Sequence, residues 1–301
     1  MKINSILSIY KPITFNSRER IDANPTHLSP LTSDVLEIRK NPSNINGEEI
    51  LNRFNKIDIN AYKTLSTEEI EAVRESCGYD VRMAASYSVD MGIELEKYFN
   101  DMFGKDDWTY VSIGNSPAGI GRVLQFMGVE TRFLPISNLK NVPSFTDFSE
   151  YDDQLSEYGE FLKEQGLTQE KIDETGKTYL FADYVYSGRS IKTFKKMMIE
   201  KFGITSPKVL YPTLNAHLEK AISDEDSALG YYRREYIKKY LKDARIEDYV
   251  GIPHIKIEEL DKIQERKNCI TENGKRFNFM VIYNLDKKGL LKDNPSNQVC
   301  I

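Results

Sequence analysis

The pattern of apolar and polar positions predicts helices in the first third of the chain. From NGEEILNRF onward, apolar residues recur at intervals of three and four, which is the spacing of one face of an α-helix. Ser66 followed by Glu69 is the sequence signature of a capping box at the start of STEEIEAVRESCG, and Gly78 closes that segment. The run YDVRMAASYSVDMGIELEKYFNDMFG keeps the helical period and also ends on glycine. We therefore expect a helical region over residues 47–105 that packs against the segment after it.

Between residues 108 and 212, short apolar runs alternate with amphipathic stretches. The predicted strands are WTYVSIG, VETRFLPIS, KTYLFADYV and PKVLYPTL, and the predicted helices are SPAGIGRVLQFMG, YDDQLSEYGEFLKEQG and GRSIKTFKKMMIEKFG. In the first of these helices, Ser116 is the predicted N-cap and Pro117 the first helical residue. Alternation of this kind is typical of a parallel sheet with helices on both faces. The predicted fold class is therefore α/β, with its core over residues 108–212.

The rest of the chain is predicted to extend this core within a single domain, residues 47–301, that follows a leader. Residues 1–46 contain four prolines and no lasting period, which favours an extended or disordered segment, or an arm lying on the domain. Residues 213–301 contain predicted helices in DSALGYYRREYIKKYLKDARIEDYV and HIKIEELDKIQERK, a predicted last strand in RFNFMVIYNL, and a polar tail. The first of these helices carries a tyrosine stripe that we interpret as a core face or, alternatively, as a homodimer or partner surface: Tyr231, Tyr232, Tyr236 and Tyr240.

Composition and charge narrow the class of protein. The hydrophobic fraction of 40% and the charged fraction of 29% are ordinary for a globular domain, and the net charge of −5 argues against non-specific nucleic-acid binding. The three cysteines are too few and too scattered for a disulfide framework, so we expect reduced thiols, with Cys77 buried. The three histidines share no metal-ligand spacing, so no structural metal site is predicted. Without a long apolar run or a cleavable signal, the expected location is cytoplasmic, with no membrane partner.

Two predicted strand-to-helix turns have the composition of phosphate-binding loops. Glycine lets the backbone approach a ligand closely, free amides at a helix N-terminus suit an anion, and hydroxyls and a guanidinium add donors. In open parallel sheets, ligands lie beyond the carboxyl ends of the strands, so we expect a phosphorylated small molecule there. The alternative is that each turn is only a helix cap. Arg122, in the helix after the first turn, is interpreted as a helix-surface cation. The predicted binding residues are Gly114, Asn115, Ser116 and Gly119 in the first turn, and Ser187, Gly188, Arg189 and Ser190 in the second.

The segment YLFADYVYSGRSI resembles the signature of the type I phosphoribosyltransferases. That family's pattern is a hydrophobic strand, two adjacent acids, two hydrophobic residues, and a loop of two hydroxyl residues, glycine, any residue and a final hydroxyl. Asp183 matches the second acid, Ser187 and Gly188 match the centre of the loop, and Ser190 matches its last hydroxyl. The resemblance covers about residues 108–212.

This resemblance implies a site for phosphoribosyl pyrophosphate. The loop would bind the 5-phosphate, and Asp183, as the catalytic acid, would bind the ribose hydroxyls. The turn in IGNSPAGIG would take the place of the family's pyrophosphate loop, Mg²⁺ would accompany the pyrophosphate, and residues 136–177 would correspond to a mobile loop over the site.

The sequence departs from the family pattern at two positions, which leaves three hypotheses. Ala182 stands where the first acid is expected, and Tyr186 stands where the first loop hydroxyl is expected. In the first hypothesis, the chain is an enzyme that transfers ribose 5-phosphate to a small acceptor. In the second, it is a non-catalytic module on the same fold, which either senses a nucleotide or phosphate or binds a partner. A third hypothesis, a secreted or host-directed interaction protein, rests on the leader and the helical extensions.

Overall fold

A computed structural model of the chain describes residues 45–54, 56–115, 117–137, 139–142, 147–184, 189–214, 255–266 and 271–292. Nearly all of the predicted leader and the helix with the tyrosine stripe lie outside these residues. The same holds for Ser116, Ser187 and Gly188 of the two predicted turns.

In the described part of the chain, four helices precede the first strand and lie in the region that the sequence predicts to be helical: α1 (Gly47–Asn52), α2 (Ile59–Lys63), α3 (Thr67–Ser76) and α4 (Tyr79–Phe103). The capping box of α3 is present with both of its hydrogen bonds. The Glu69 amide donates to Ser66 Oγ at 3.2 Å, and the Ser66 amide donates to Glu69 Oε2 at 3.0 Å. Helix α4 ends at Gly104, whose φ of 97° suits glycine. The helical region of residues 47–105 is thus confirmed.

The strands are β1 (Trp108–Ile113), β2 (Thr131–Leu134), β3 (Ile136–Ser137), β4 (Thr178–Tyr184), β5 (Val209–Leu210), β6 (Thr213–Leu214) and β7 (Ile255–Lys256). The main sheet is parallel and has the order β2-β1-β4-β5, with β6 also pairing with β4, while β3 and β7 form a separate parallel pair. Two predicted strands are each divided at a proline, Pro135 or Pro212, because proline cannot donate a ladder hydrogen bond.

Helices cover both faces of this sheet. After β1 come α5 (Ala118–Phe126), α6 (Asp152–Glu164), α7 (Gln169–Thr175), α8 (Arg189–Glu200), α9 (Ile263–Arg266) and α10 (Glu272–Lys287). On one face, Tyr110 and Leu180 lie in an apolar cluster with residues of α4 and α5. On the other face, the ring of Phe181 lies 5.9 Å from that of Phe194 in α8. The predicted α/β class, with a parallel sheet flanked by helices, is confirmed.

The predicted last strand is wrong, because RFNFMVIYNL forms most of helix α10. Thr271 caps this helix by accepting a hydrogen bond from the Gly274 amide at 3.1 Å. Every residue from Phe277 to Ile282 is buried, since α10 packs against α4, α5 and α2. A helix covered on several sides carries adjacent apolar residues, and such a run looks like a buried strand in sequence.

Three smaller differences follow from local capping and packing. Helix α7 was not predicted, although Thr168 caps it by accepting from the Lys171 amide at 3.3 Å. The segment HIKIEELDKIQERK begins with β7 and continues as a 3-10 helix before α9. Helices α6 and α7 occupy much of residues 136–177, so that this stretch is not one long loop over the sheet edge.

Candidate functional site

The carboxyl ends of β1 and β4 meet at the centre of the sheet. The two strands are parallel neighbours, and the register pairs Ser112 with Ala182. From β1 the chain continues to β2 on one side, and from β4 it continues to β5 on the other. This reversal of strand order is a topological switch point, where open α/β sheets form a ligand crevice. The chain leaving β1 toward α5 and the chain leaving β4 toward α8 both start from this edge.

Gly114 starts the first turn in a conformation that requires glycine. Its φ is 71°, and its amide donates to the Leu134 carbonyl at 2.8 Å. A Cβ atom at this position would lie 2.7 Å from the carbonyl oxygen of Ile136, which is closer than real side chains come. The positive φ and the nearby Ile136 carbonyl are therefore sufficient reasons for glycine at position 114, without the close approach of a ligand that the sequence analysis predicted.

Helix α5 begins directly after this turn. Its first residue is Ala118, and Pro117 precedes the helix rather than being its first residue as predicted. The Ala118 amide donates to the Asn115 carbonyl at 3.0 Å. Gly119 is the second helical residue, so the N-terminal amides of α5 and the positive end of its dipole lie at the switch point.

Two buried hydroxyl groups of β1 hold carbonyls of the first turn. Ser112 Oγ donates to the Gly114 carbonyl at 3.2 Å, and the Tyr110 hydroxyl donates to the Pro117 carbonyl at 3.3 Å. Both side chains are fully buried. The sequence analysis missed these two residues. The available signal was that three hydroxyl-bearing residues, Thr109, Tyr110 and Ser112, occur in a strand that leads into a glycine turn.

Asn115 lies inside the same turn with an incomplete set of hydrogen bonds. Its side chain is only 5% exposed, and Oδ1 has no partner among the described residues. Buried amide oxygens are normally hydrogen-bonded, because leaving one without a donor costs about 1–3 kcal/mol. A donor on a bound ligand or a water molecule would complete this group.

Asp183 lies near the end of β4 and is half-buried. Its amide approaches the Pro212 carbonyl at 3.4 Å, which fixes the backbone at this edge. Burial, and then the charge of the Asp183 carboxylate, hold the pKa of Tyr110 well above its usual value. The Tyr110 phenol therefore keeps its proton at neutral pH and remains a donor.

The second predicted turn is described only where it enters α8. Arg189 is exposed and Ser190 is half-buried, and they are the first two residues of the helix. Ser187 and Gly188 lie outside the described residues. The predicted helix after the turn is confirmed, whereas the phosphate site in the turn stays a prediction.

Ala182, which precedes Asp183 in β4, is completely buried in the apolar cluster between the sheet and helices α4 and α5. Among the described residues, no group of three or more His, Cys, Asp or Glu side chains could hold a metal ion. Asp183 is one carboxylate at the switch point, and Mg²⁺ usually needs several oxygen ligands. The described residues alone do not form a Mg²⁺ site.

Arg122 is not the surface cation that the sequence suggested. It is 8% exposed, its guanidinium carbon lies 4.3 Å from the centroid of the Phe133 ring, and Nη1 donates to Gln125 Oε1 at 3.0 Å. Cys77 is a buried thiol as predicted, and burial raises its pKa to about 12. Such a thiol is protonated at neutral pH and is a poor nucleophile.

A separate surface depression lies between α6 and the end of α8, beside Phe202, and the ion pair between Asp152 and Lys201 at 2.7 Å is part of its lining. None of the predicted site residues that the structure describes lines it.

No family model matches the chain, and no curated protein or solved structure matches it significantly. Within the described part of the chain, no helix is long and apolar enough to cross a membrane.

Proposed function

We propose that the protein binds a ribose phosphate at the switch point between β1 and β4, as its resemblance to the type I phosphoribosyltransferases implies. The observation that carries this proposal is the parallel pairing of β1 and β4 with β2 and β5 on opposite sides. This order brings the start of α5 and the chain before α8 to one edge, where two helix dipoles favour negative charge.

Each part of the ligand has its own binding residues in this proposal. The 5-phosphate binds at the start of α8, and a pyrophosphate or second phosphate binds at the start of α5. Asp183 accepts hydrogen bonds from the ribose hydroxyls between them. The phosphate-binding residues are Ser187, Gly188, Arg189 and Ser190 at α8, and Gly114, Asn115, Ser116 and Gly119 at α5.

If the ligand is phosphoribosyl pyrophosphate, the reaction is a transfer at the anomeric carbon. The bond from this carbon to the pyrophosphate oxygen breaks, pyrophosphate leaves with the electron pair, and a nucleophile of the acceptor forms the new bond. Positive charge develops on the sugar, and the nearby Asp183 carboxylate stabilises it. When Mg²⁺ accompanies the pyrophosphate, it supplies charge neutralisation to the leaving group.

A second candidate function is ligand sensing without transfer. The observation that favours it is Ala182, because a buried alanine provides no second carboxylate for the sugar or for a metal ion. Both candidates share the ribose-phosphate site and differ only in whether the bond to pyrophosphate is broken.

Titration calorimetry of the full chain tests the shared claim. We expect ribose 5-phosphate to bind more tightly than either ribose or inorganic phosphate, because only this ligand contacts both Asp183 and the α8 turn. Ser190→Ala should weaken its binding, whereas Ser156→Ala, an exposed serine in α6, should not. Absence of ribose 5-phosphate binding by the parent protein would overturn the proposal.

The same titration with phosphoribosyl pyrophosphate, with and without Mg²⁺, separates the two candidates. Release of pyrophosphate in the presence of small acceptors identifies a transferase. Tight binding without release identifies a sensor.

A further inference from the structure

The geometry points to Tyr110 and Ser112 as positioning residues that hold the first turn in an anion-binding conformation. This inference rests on the proposed function and deepens it, since it assigns two residues that would act through the backbone without touching the ligand. Both side chains lie on the same face of β1 and are fully buried.

Ser112 fixes the direction of the peptide unit that joins Gly114 to Asn115. Its hydroxyl donates to the Gly114 carbonyl at 3.2 Å, so this carbonyl points back toward β1. In a trans peptide the N–H group points opposite to the carbonyl, and no peptide bond among the described residues is cis. The Asn115 N–H is therefore directed away from Ser112, and it donates to no backbone carbonyl of the described residues.

Tyr110 fixes the other end of the turn. Its hydroxyl reaches the Pro117 carbonyl at 3.3 Å, and the same carbonyl accepts the Gly121 amide at 3.1 Å. A carbonyl that faced the crevice would repel a phosphate, whereas a carbonyl held by two donors cannot turn toward it. The start of α5 thus presents amides and no free carbonyl of Pro117 to the ligand.

Asn115 provides the independent sign that this turn is built for a ligand. In the conformation that Tyr110 and Ser112 hold, the carboxamide oxygen of Asn115 is buried and has no partner among the described residues. Because this oxygen is an acceptor, the group that completes it is a donor, such as a hydroxyl of the ribose, and not an unprotonated phosphate oxygen.

The test uses Tyr110→Phe and Ser112→Ala in the full chain, with Tyr158→Phe as the matched control. Tyr158 is also fully buried, but its hydroxyl in α6 has no partner among the described residues. We expect Tyr110→Phe and Ser112→Ala each to bind inorganic phosphate roughly two- to tenfold more weakly, the effect of losing one positioning hydrogen bond. Tyr158→Phe should bind it like the parent.

Amide hydrogen exchange separates positioning from general loss of stability. Exchange at Ala118 and Gly121, whose amides donate to the Asn115 and Pro117 carbonyls, should become faster in Tyr110→Phe and Ser112→Ala, while exchange in α4 and α10 stays at the parent rate. The melting temperature of Tyr110→Phe should change little, because the Pro117 carbonyl keeps its bond from Gly121.

Parent-like phosphate affinity in both variants, with unchanged exchange at Ala118 and Gly121, would overturn the inference. If the parent protein itself binds no phosphate, the proposed function fails. The exchange rates then decide the positioning role alone, and unchanged rates reject it.

Discussion

Ala182 lies directly opposite Ser112 in the paired strands β4 and β1, and both side chains are completely buried. The next residue, Asp183, is half-buried at the sheet edge. Successive side chains of a strand point to opposite faces, so an acid at position 182 would enter the apolar cluster beneath α4 and α5 and not the ligand crevice. The packing around position 182 therefore disfavours an acid there.

Ala182→Asp should destabilise the protein and should not restore an acid pair. A buried carboxylate without a partner costs about 3 kcal/mol or more at neutral pH. Urea unfolding followed by the fluorescence of Trp108 measures this, because Trp108 is the only tryptophan and is buried. Ala182→Asn introduces a side chain of nearly the same size as aspartate but without charge, so it separates the effect of charge from that of volume.

The sign of the pH dependence follows from burial. Burial raises the pKa of the introduced carboxyl above its unfolded value of about 3.9, so the folded state binds the proton more tightly. The loss of stability in Ala182→Asp should therefore grow as the pH rises from about 4 to about 7, and Ala182→Asn should lack this slope. Parent-like stability of Ala182→Asp, together with new Mg²⁺-dependent ligand binding, would contradict the packing account.

Gly114→Ala should lower the free energy of unfolding by more than the cost of placing alanine in the left-handed backbone conformation. The left-handed conformation costs a non-glycine residue about 1–2 kcal/mol, and here the new Cβ would also lie 2.7 Å from the Ile136 carbonyl oxygen. Gly166→Ala is the matched control, because its φ is 68° and no atom lies within 4 Å of the place that the alanine methyl group would take. Equal losses in the two variants, measured by urea unfolding, would show that the contact with Ile136 is unimportant.

Asn115→Ala should cost less free energy of unfolding than Asn100→Ala. Asn100 Oδ1 accepts the hydrogen bond of the Trp108 indole at 2.9 Å, and its loss leaves that N–H unsatisfied, at about 1–3 kcal/mol. The Asn115 oxygen has no partner to lose among the described residues. Ribose 5-phosphate binding should show the opposite order, with Asn115→Ala weakened and Asn100→Ala unchanged. A larger stability loss for Asn115→Ala would mean that its side chain is structural.

Local signals in the sequence were sufficient to predict the helices before the sheet and the alternation of strands and helices in the core. The Ser66–Glu69 capping box, the period of α4 and the alternation of strands with helices each depend on residues close together in the chain. Because parallel strands end at a common edge, this alternation also predicted that the chain after β1 and the chain after β4 would lie at the same edge of the sheet.

Features that depend on tertiary contacts could not be predicted in the same way. The assignment of α10 required knowing that α4 and α5 cover it, because a helix that is buried on several sides has no clean amphipathic period. The roles of Tyr110 and Ser112 depend on which carbonyls lie beside them, and neither residue type nor spacing encodes that. The burial of Arg122 depends on the ring of Phe133, which belongs to another element, strand β2.

The central claim is that Asp183 contacts the ribose of a ribose phosphate held at this edge, and Asp183→Asn tests it most directly. The substitution preserves size and should lower the affinity for ribose 5-phosphate by about 1.5–3 kcal/mol, the value of hydrogen bonds to a charged group, while leaving inorganic phosphate binding unchanged. Asp101→Asn, an exposed acid near the end of α4, is the control and should bind both ligands like the parent. If Asp183→Asn binds ribose 5-phosphate as tightly as the parent in a calorimetric titration, Asp183 does not hold the sugar and the account is contradicted.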